Sequence, residues 1–189
     1  SNSRTFWDYG SDTTFEEVES QDGDNGMLYM YGESKGSIGY LQTAKIDISN
    51  LAKPMLTFYV FNLVDPEVPD NNTIEVLASS GDGVFESAGV WTLSDFGSED
   101  WHRIEVDLTK YAGKSVQFKI LGTVETYQYI HIDNMQIRDR YGKDVAITAF
   151  ETPFSVKAGN PAQINVNLAN YGLEDAANVT VEVLRDGDK

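Results

Sequence analysis

The residues best suited to chemistry in this sequence lie in one short acidic turn, Asp22-Gly23-Asp24-Asn25-Gly26. Its Asp and Asn side chains offer hard oxygen ligands, and its glycines let the chain bend tightly enough for several oxygens to converge. Calcium prefers such ligands, although the spacing matches only part of an EF-hand loop. Two interpretations stay open at this point: a calcium-binding turn, and an ordinary Asp/Asn-Gly turn that leads into a strand.

Aromatic side chains form the second group of candidates. The chain has 3 Trp, 10 Tyr and 9 Phe. Three of these rings lie near loops that contain Ser, Asp, Thr and Gln: Trp91, Tyr127 and Tyr129. Rings exposed beside polar groups can stack on sugars, whereas rings in a β-sandwich interior fill the core. We predict these three residues as ligand-binding, with core packing as the alternative interpretation.

The sequence offers little support for catalysis. His102 and His131 occur without an HExxH motif, so they do not readily supply the ligands of a hydrolytic zinc site. No G-x-S-x-G motif is present either. Glu105 and Asp107 share a predicted strand face at about 7 Å, which suits a glycosidase, but carboxylates this numerous form such pairs by chance. We predict no catalytic residues and expect this chain not to be an enzyme.

Composition narrows the class of partner. The 14 Lys and Arg residues against 30 Asp and Glu residues give a formal net charge of −16. Such a surface repels nucleic acid and anionic lipid, so we expect neither nucleic-acid binding nor membrane insertion. The chain has no Cys, which removes disulfides and thiolate zinc sites and fits a secreted bacterial protein. It also has no run of about 18 apolar residues of the kind that spans a membrane.

Alternation of apolar and polar residues predicts an all-β fold. The predicted strands cover residues 27–31, 55–62, 73–79, 102–108, 115–121 and 128–138. Clusters of Gly, Asp, Asn, Pro and Ser separate them, which is typical of a β-sandwich or barrel. Residues 55–61 are apolar on both faces and are predicted to form a central strand. Residues 108–113 are predicted to form one helical turn.

A domain boundary is predicted at residues 141–143. The chain after it has a separate series of predicted strands, at 144–150, 162–169 and 178–184. Three strands in 46 residues make about half of an immunoglobulin-like sandwich. We therefore predict one domain over residues 4–141 and the first part of an immunoglobulin-like domain over residues 144–189.

Several short motifs together resemble a known family. They are residues 26–30 (GMLYM), 55–60 (MLTFYV), 101–113 (WHRIEVDLTKYAG) and 129–137 (YIHIDNMQI). Their order and spacing resemble MAM-type jelly-roll domains and the related bacterial choice-of-anchor J, or cleaved-adhesin, domains. The absence of Cys favours the bacterial branch. The resemblance covers about residues 7–139 and implies a jelly-roll β-sandwich.

The resemblance also implies a metal site. In these families a structural calcium often joins the turn before the GMLYM-type strand to the closing strand, which here contains Asp133. The metal ligands implied are Asp22, Asp24, Asn25 and Asp133. The tail resembles the first half of a CARDB-type immunoglobulin-like module, through residues 156–159, 164–168, 170–172 and 179–181.

These observations predict a non-catalytic adhesion or ligand-binding module of a larger bacterial protein that is secreted or held at the cell surface. The expected partners are a glycan or an extracellular protein, together with neighbouring domains of the same chain. Two alternatives remain: a structural spacer or accessory domain of a secreted protease or glycosidase, and a glycoside hydrolase. Family resemblance supports the first prediction more than the chemistry of individual residues does.

Overall fold

The computed structural model describes residues 7–11, 18–64, 67–68, 71–81, 83–97, 100–125, 127–153, 155–157 and 159–183. The chain forms two compact units, Ser1–Asp139 (unit 1) and Arg140–Lys189 (unit 2). Nearly all regular structure in the described residues is β-strand, which confirms the predicted all-β class. No helix in these ranges is long and apolar enough to span a membrane.

Unit 1 contains two antiparallel sheets. The front sheet has the strands β1 (Trp7–Gly10), β2 (Met27–Tyr31), β5 (Pro54–Leu63), β8 (Trp101–Asp107) and β10 (Tyr129–Asp139), in the spatial order β1-β2-β10-β5-β8. The back sheet has β3 (Ser37–Gln42), β4 (Ile46–Asp47), β6 (Thr73–Ser79), β7 (Glu86–Thr92) and β9 (Ser115–Val124), in the order β3-β9-β6-β7 with β4 also paired to β9. Two short 3₁₀ turns, Leu93–Asp95 and Thr109–Tyr111, connect strands, and the second lies where a helical turn was predicted.

The hydrophobic core lies between these two sheets. Strand alternation directs Ile130 and Ile132 of β10 into it, and both are almost fully buried. Tyr129, His131 and Asp133 of the same strand therefore point to the outer face of the front sheet. The predicted central strand at 55–61 is an inner strand between β10 and β8, and most of its residues are buried.

Two of the strands missing from the prediction, β3 and β7 of the back sheet, have Ser or Gly at some of their inward positions. In β3 the inward residues are Ser37 and Gly39, while Ile38 and Tyr40 are exposed. In β7, Gly89 lies under the indole of Trp91, where a Cβ would collide with the ring. Period-two alternation is a signal of apolar burial, so strands that bury Ser or Gly do not show it.

Unit 2 contains an antiparallel pair of strands in the described residues, β11 (Val145–Glu151) and β12 (Asn165–Asn170). The prediction of a third strand at 178–184 is wrong for residues 178–183, which form no strand; residue 184 lies outside the described ranges. Three valines in that segment are close to half exposed: Val179, Val181 and Val183. Alternating valines favour a strand, but a strand needs a neighbouring strand for its backbone hydrogen bonds. In the described structure, residues 178–183 have no such neighbour.

The position of the core gives a first prediction. Ile120→Ala on β9 should lower the free energy of unfolding by about 2–5 kcal/mol, because Ile120 is fully buried between the sheets. Ile38→Ala on the adjacent strand β3 is the matched control, since Ile38 is 60% exposed, and it should cost about 0.5 kcal/mol. Urea unfolding of both variants measures the difference, and equal losses would contradict the assigned inward and outward faces.

Candidate functional site

The acidic turn meets the closing strand in three dimensions. Asp22, Asp24 and Asp133 each place one carboxylate oxygen within 4.8 Å of the other two. Asp22 and Asp24 are exposed, and Asp133 is partly buried. The meeting follows from strand order: β2 pairs with β10 so that Leu28 lies opposite Ile132, which brings the residues just before β2 alongside Asp133.

Local hydrogen bonds shape the acidic turn. The main-chain N–H of Asp24 donates to Asp22 Oδ1 at 3.1 Å, and that of Gly26 donates to Asp24 Oδ1 at 2.9 Å. Both are Asx-type bonds, which favour tight turns. Asn25 adopts φ 67°, in the left-handed region that Asn tolerates, and its N–H donates to Ser20 Oγ at 3.0 Å. The turn therefore holds two carboxylates on one side through bonds within the turn itself.

A β-bulge presents Asp133. The register between β10 and β5 shifts between Asp133 and Gln136, and Asn134 adopts φ 50° within the shift. Asp133 accepts hydrogen bonds from the main-chain N–H groups of Gln21 and Asn134, at 2.8 and 2.7 Å. The Asn134 amide in turn donates to Gln21 Oε1 at 2.9 Å. Bulges commonly redirect side chains at functional positions, and this one fixes Asp133 toward the acidic turn.

The electrostatics of this cluster favour a cation. Burial raises the pKa of Asp133, and the charges of Asp22 and Asp24 raise it further, against the lowering effect of the hydrogen bonds from Gln21 and Asn134. Three carboxylates held this close repel one another, and a positive ion between them would remove that repulsion.

The donor set also fits calcium in size. Calcium–oxygen distances are about 2.3–2.6 Å, so two ligands on opposite sides of the ion are at most about 5 Å apart. The three carboxylate oxygens lie within 4.8 Å of one another, which agrees with that maximum distance between ligands. A surface depression of about 240 Å³ borders Asp24 and Asp133 and leaves room for water ligands. Asn25 lies exposed in the same turn.

Aromatic rings occupy the other half of the same face, in two rows set by the strand register. The upper row consists of Tyr31 on β2 and Tyr129 on β10, with the aliphatic Leu63 beside them on β5. The lower row consists of Tyr29, His131, Phe61 and Trp101 on β2, β10, β5 and β8. Ring centroids of neighbours are close, at 4.6 Å for Tyr31 and Tyr129 and 5.6 Å for Phe61 and Trp101. The front sheet thus carries a continuous aromatic surface.

The exposed end of this surface contains two of the predicted ligand-binding residues. Tyr127 is 68% exposed, and Tyr129 is partly exposed beside Tyr31. Tyr127 is held by its N–H, which donates to the Gly32 carbonyl at 2.8 Å. Removal from water raises the pKa of Tyr31, and the nearby Tyr129, Tyr127 and Glu33 raise it further. We call Tyr31, Tyr127 and Tyr129 the tyrosine platform.

The third predicted residue, Trp91, is not part of this group. It lies on β7 of the back sheet opposite Ile74, which is fully buried, and its ring packs against the core and over Gly89. Tyr31 and Tyr29 were missing from the predicted set. The motif MLYMY contained the signal, because inward Leu28 and Met30 leave both tyrosines facing outward.

The carboxylates considered for catalysis have structural partners. Glu105 forms an ion pair with Arg103 at 3.2 Å, and Asp107 Oδ1 accepts the main-chain N–H of Thr109 at 2.8 Å. The two histidines face opposite sides of the front sheet. His102 lies opposite the buried Val60 and stacks on Phe96, whereas His131 lies on the outer face.

Comparison with known proteins places the fold. No protein-family model and no curated protein matches the chain. The K1 cleaved adhesin domain of Lys-gingipain from Porphyromonas gingivalis has a similar structure, with 22% sequence identity and a TM-score of 0.51 over 71% of this chain and 84% of that one. A structure of carbohydrate-binding modules from the β-sandwich superfamily has 12% identity and a TM-score of 0.50, over 74% of this chain and 56% of that one.

These likenesses establish a fold of the cleaved-adhesin and carbohydrate-binding-module type. They support the cleaved-adhesin part of the resemblance at the level of fold. The MAM-like assignment and the CARDB-like assignment of the tail stay predictions.

Buried His131 gives a prediction on pH. Burial lowers its pKa from 6.5 to about 4, and a hydrogen bond with the main chain of Phe61 acts in the opposite direction. Between these values the unfolded chain binds a proton that the folded protein does not bind. The free energy of unfolding should therefore fall as the pH falls from 6.5 to 4, by about 3 kcal/mol from this residue.

The control for that prediction is His131→Phe, which keeps a ring but cannot titrate. Urea unfolding of both proteins at pH 7, 6, 5 and 4.5 should show the extra loss only with His131. The raised pKa of Asp133 has the opposite effect, because it makes the folded protein less stable as the pH rises through that pKa. This contribution is the same in both proteins. Identical pH dependence of the two proteins would contradict the burial of a neutral imidazole.

Proposed function

We propose that unit 1 is a non-catalytic binding module that holds a glycan on the tyrosine platform, within a larger protein that is secreted or exposed at the cell surface. The observation that carries this proposal is the gathering of Tyr31, Tyr127 and Tyr129 at the accessible end of one sheet face. Tyrosine combines an apolar ring, which stacks on a sugar, with a hydroxyl that forms hydrogen bonds at its edge. Tyr127 and Tyr129 are the ligand-binding residues that we retain, and Tyr31 joins them.

Other observations agree with this proposal. Solved structures of similar fold are described as a cleaved adhesin domain and as carbohydrate-binding modules, although a shared fold alone does not determine function. The partners of Glu105 and Asp107 provide a structural reason for two carboxylates that could otherwise suggest hydrolysis. A net charge of −16 and the lack of Cys fit a bacterial extracellular protein without nucleic-acid partners. An extracellular protein is the alternative partner.

We also propose that unit 2 is the first part of an immunoglobulin-like domain over residues 144–189. Its two strands present one apolar face, on which Ile147 lies opposite Leu168 and Phe150 lies opposite Val166. Ile147 and Phe150 are 61% and 58% exposed. Two strands with an open apolar face are not stable alone, which supports a sandwich in which a second sheet covers them.

A calcium ion at Asp22, Asp24 and Asp133 is the cofactor we propose, with Asn25 as a further ligand from the same turn. The close carboxylates, the raised pKa of Asp133 and the adjoining depression support it. The ion would be structural: it would join the turn before β2 to the closing strand β10.

If a glycan binds on the tyrosine platform, substitutions in the platform should weaken binding and substitutions elsewhere should not. A glycan array with the protein first identifies a ligand, and calorimetry then compares variants. Tyr127→Ala and Tyr129→Ala should each weaken binding at least about tenfold, or about 1.4 kcal/mol, because each removes a stacking ring. Tyr40→Ala is the matched control, since Tyr40 is 61% exposed on the back sheet. An equal loss with Tyr40→Ala, or binding to no glycan, would reject the proposal.

The calcium proposal predicts that Asp22→Asn is less stable than the parent protein in calcium but not in chelator. A calcium concentration of about 100 times Kd should stabilise the protein by about 2.7 kcal/mol. Asp22→Asn and Asp133→Asn should abolish this gain. In chelator, Asp22→Asn should be at least as stable as the parent, because it removes one of three repelling charges while its side-chain oxygen still accepts the Asp24 N–H.

The control for calcium is Asp95→Asn, an exposed carboxylate outside the cluster, which should keep the full calcium effect. Thermal melting with calcium and with chelator measures all four proteins. A parent protein whose melting temperature does not respond to millimolar calcium would rule out a functional calcium site.

A further inference from the structure

Residues 18–21 cross the outer face of the front sheet, and we call them the strap. Val18 is 1% exposed and packs with Met27 of β2 and Phe61 of β5. The indole N–H of Trp101, on the edge strand β8, donates to the main-chain carbonyl of Glu19 at 2.8 Å. This part of the strap therefore covers Phe61 and lies against Trp101, which stays partly exposed at the end of the lower aromatic row.

The other end of the strap is fixed to β10. Its last residue, Gln21, donates its N–H to Asp133 and accepts the side-chain amide of Asn134, at 2.8 and 2.9 Å. From Glu19 to Gln21 the strap thus passes from β8 across β5 to β10 and continues into the acidic turn. Its path is fixed by the buried Val18 at its start and by the hydrogen bonds of Glu19 and Gln21.

The strap divides the aromatic surface into a covered part and an open part. In the lower row His131 is fully buried and Phe61 is 7% exposed. In the platform Tyr127 is 68% exposed, and Tyr31 and Tyr129 are partly open. Adjacent strands lie about 4.8 Å apart, so an uncovered lower row on four strands would extend about 14 Å across the sheet. The open rings of the platform lie only on β2, β10 and the residues just before β10.

We propose that the strap sets the length of glycan that unit 1 can hold, with Val18 as the specificity-determining residue. Val18 packs on Phe61 and the Glu19 carbonyl holds the indole N–H of Trp101, so the bound sugars end at Tyr129 and do not continue toward β8. The ligand class is a short oligosaccharide or a chain end. This inference rests on the proposed function of the tyrosine platform.

Two variants loosen the strap in different ways. Val18→Ser removes the buried apolar side chain, and Trp101→Phe removes the donor to Glu19 while keeping a ring on the sheet. Val90→Ser is the matched control, because Val90 is 61% exposed on the back sheet. Amide hydrogen exchange of residues 18–21 should become at least tenfold faster in both strap variants and stay unchanged in the control. Unchanged exchange in both strap variants would overturn the strap's assigned packing.

Binding is then measured by calorimetry with gluco-, xylo- and galacto-oligosaccharides of two to six β-linked units. For the parent protein, affinity should stop rising once the chain fills the platform. For the strap variants the longest oligosaccharides should gain at least about fivefold over the parent. An unchanged length profile, despite faster exchange, overturns this inference and leaves the proposed function standing.

The two proposals fail in different ways. Binding by neither the parent nor the strap variants overturns both. Binding by the strap variants alone supports the covering role of the strap and overturns the platform as the parent's binding site. Trp101→Phe keeps the test decisive if Val18→Ser does not fold, because it changes one hydrogen-bond donor and retains an aromatic ring.

Discussion

The pairing of β2 with the closing strand β10 is the constraint on which the whole front face depends. Its register places Leu28 opposite Ile132 and Tyr31 opposite Tyr129. The first pair brings the acidic turn before β2 to Asp133, and the second forms the middle of the tyrosine platform. Both candidate sites are therefore built by one set of backbone hydrogen bonds between segments that are about 100 residues apart in sequence.

The buried side of the same strands holds this register. Met30, Ile130 and Ile132 are at most 1% exposed in the core between the sheets. A slip of one residue would move them to the solvent side, and each buried apolar side chain contributes about 1.5–3 kcal/mol relative to exposure. The inner face thus provides the stability that lets the outer face carry destabilising groups, including close carboxylates and the neutral, buried His131.

Sequence alone predicted strands with a run of apolar inward residues, and it missed β3 and β7, where Ser and Gly interrupt that run. Ser37, Gly39 and Gly89 occupy inward positions of β3 and β7, so these strands left no alternating pattern. Asp133 could be linked to the acidic turn only through a family resemblance, because composition and spacing do not show which strands pair. The role of Val18 was beyond prediction, since no periodic element contains it and its burial depends on Phe61 of a distant strand.

The strap makes the two proposed sites interdependent. Asp133 is both a ligand of the proposed cation and the acceptor of the Gln21 N–H that fixes the strap. A cation that holds the acidic turn against β10 therefore also holds Val18 over Phe61. A glycan long enough to displace the strap must then work against cation binding, whereas one that stays on the platform need not. By thermodynamic reciprocity, such a long glycan would weaken cation binding by the same factor by which the cation weakens binding of that glycan. Discrimination by ligand length follows from this coupling without any change in the platform itself.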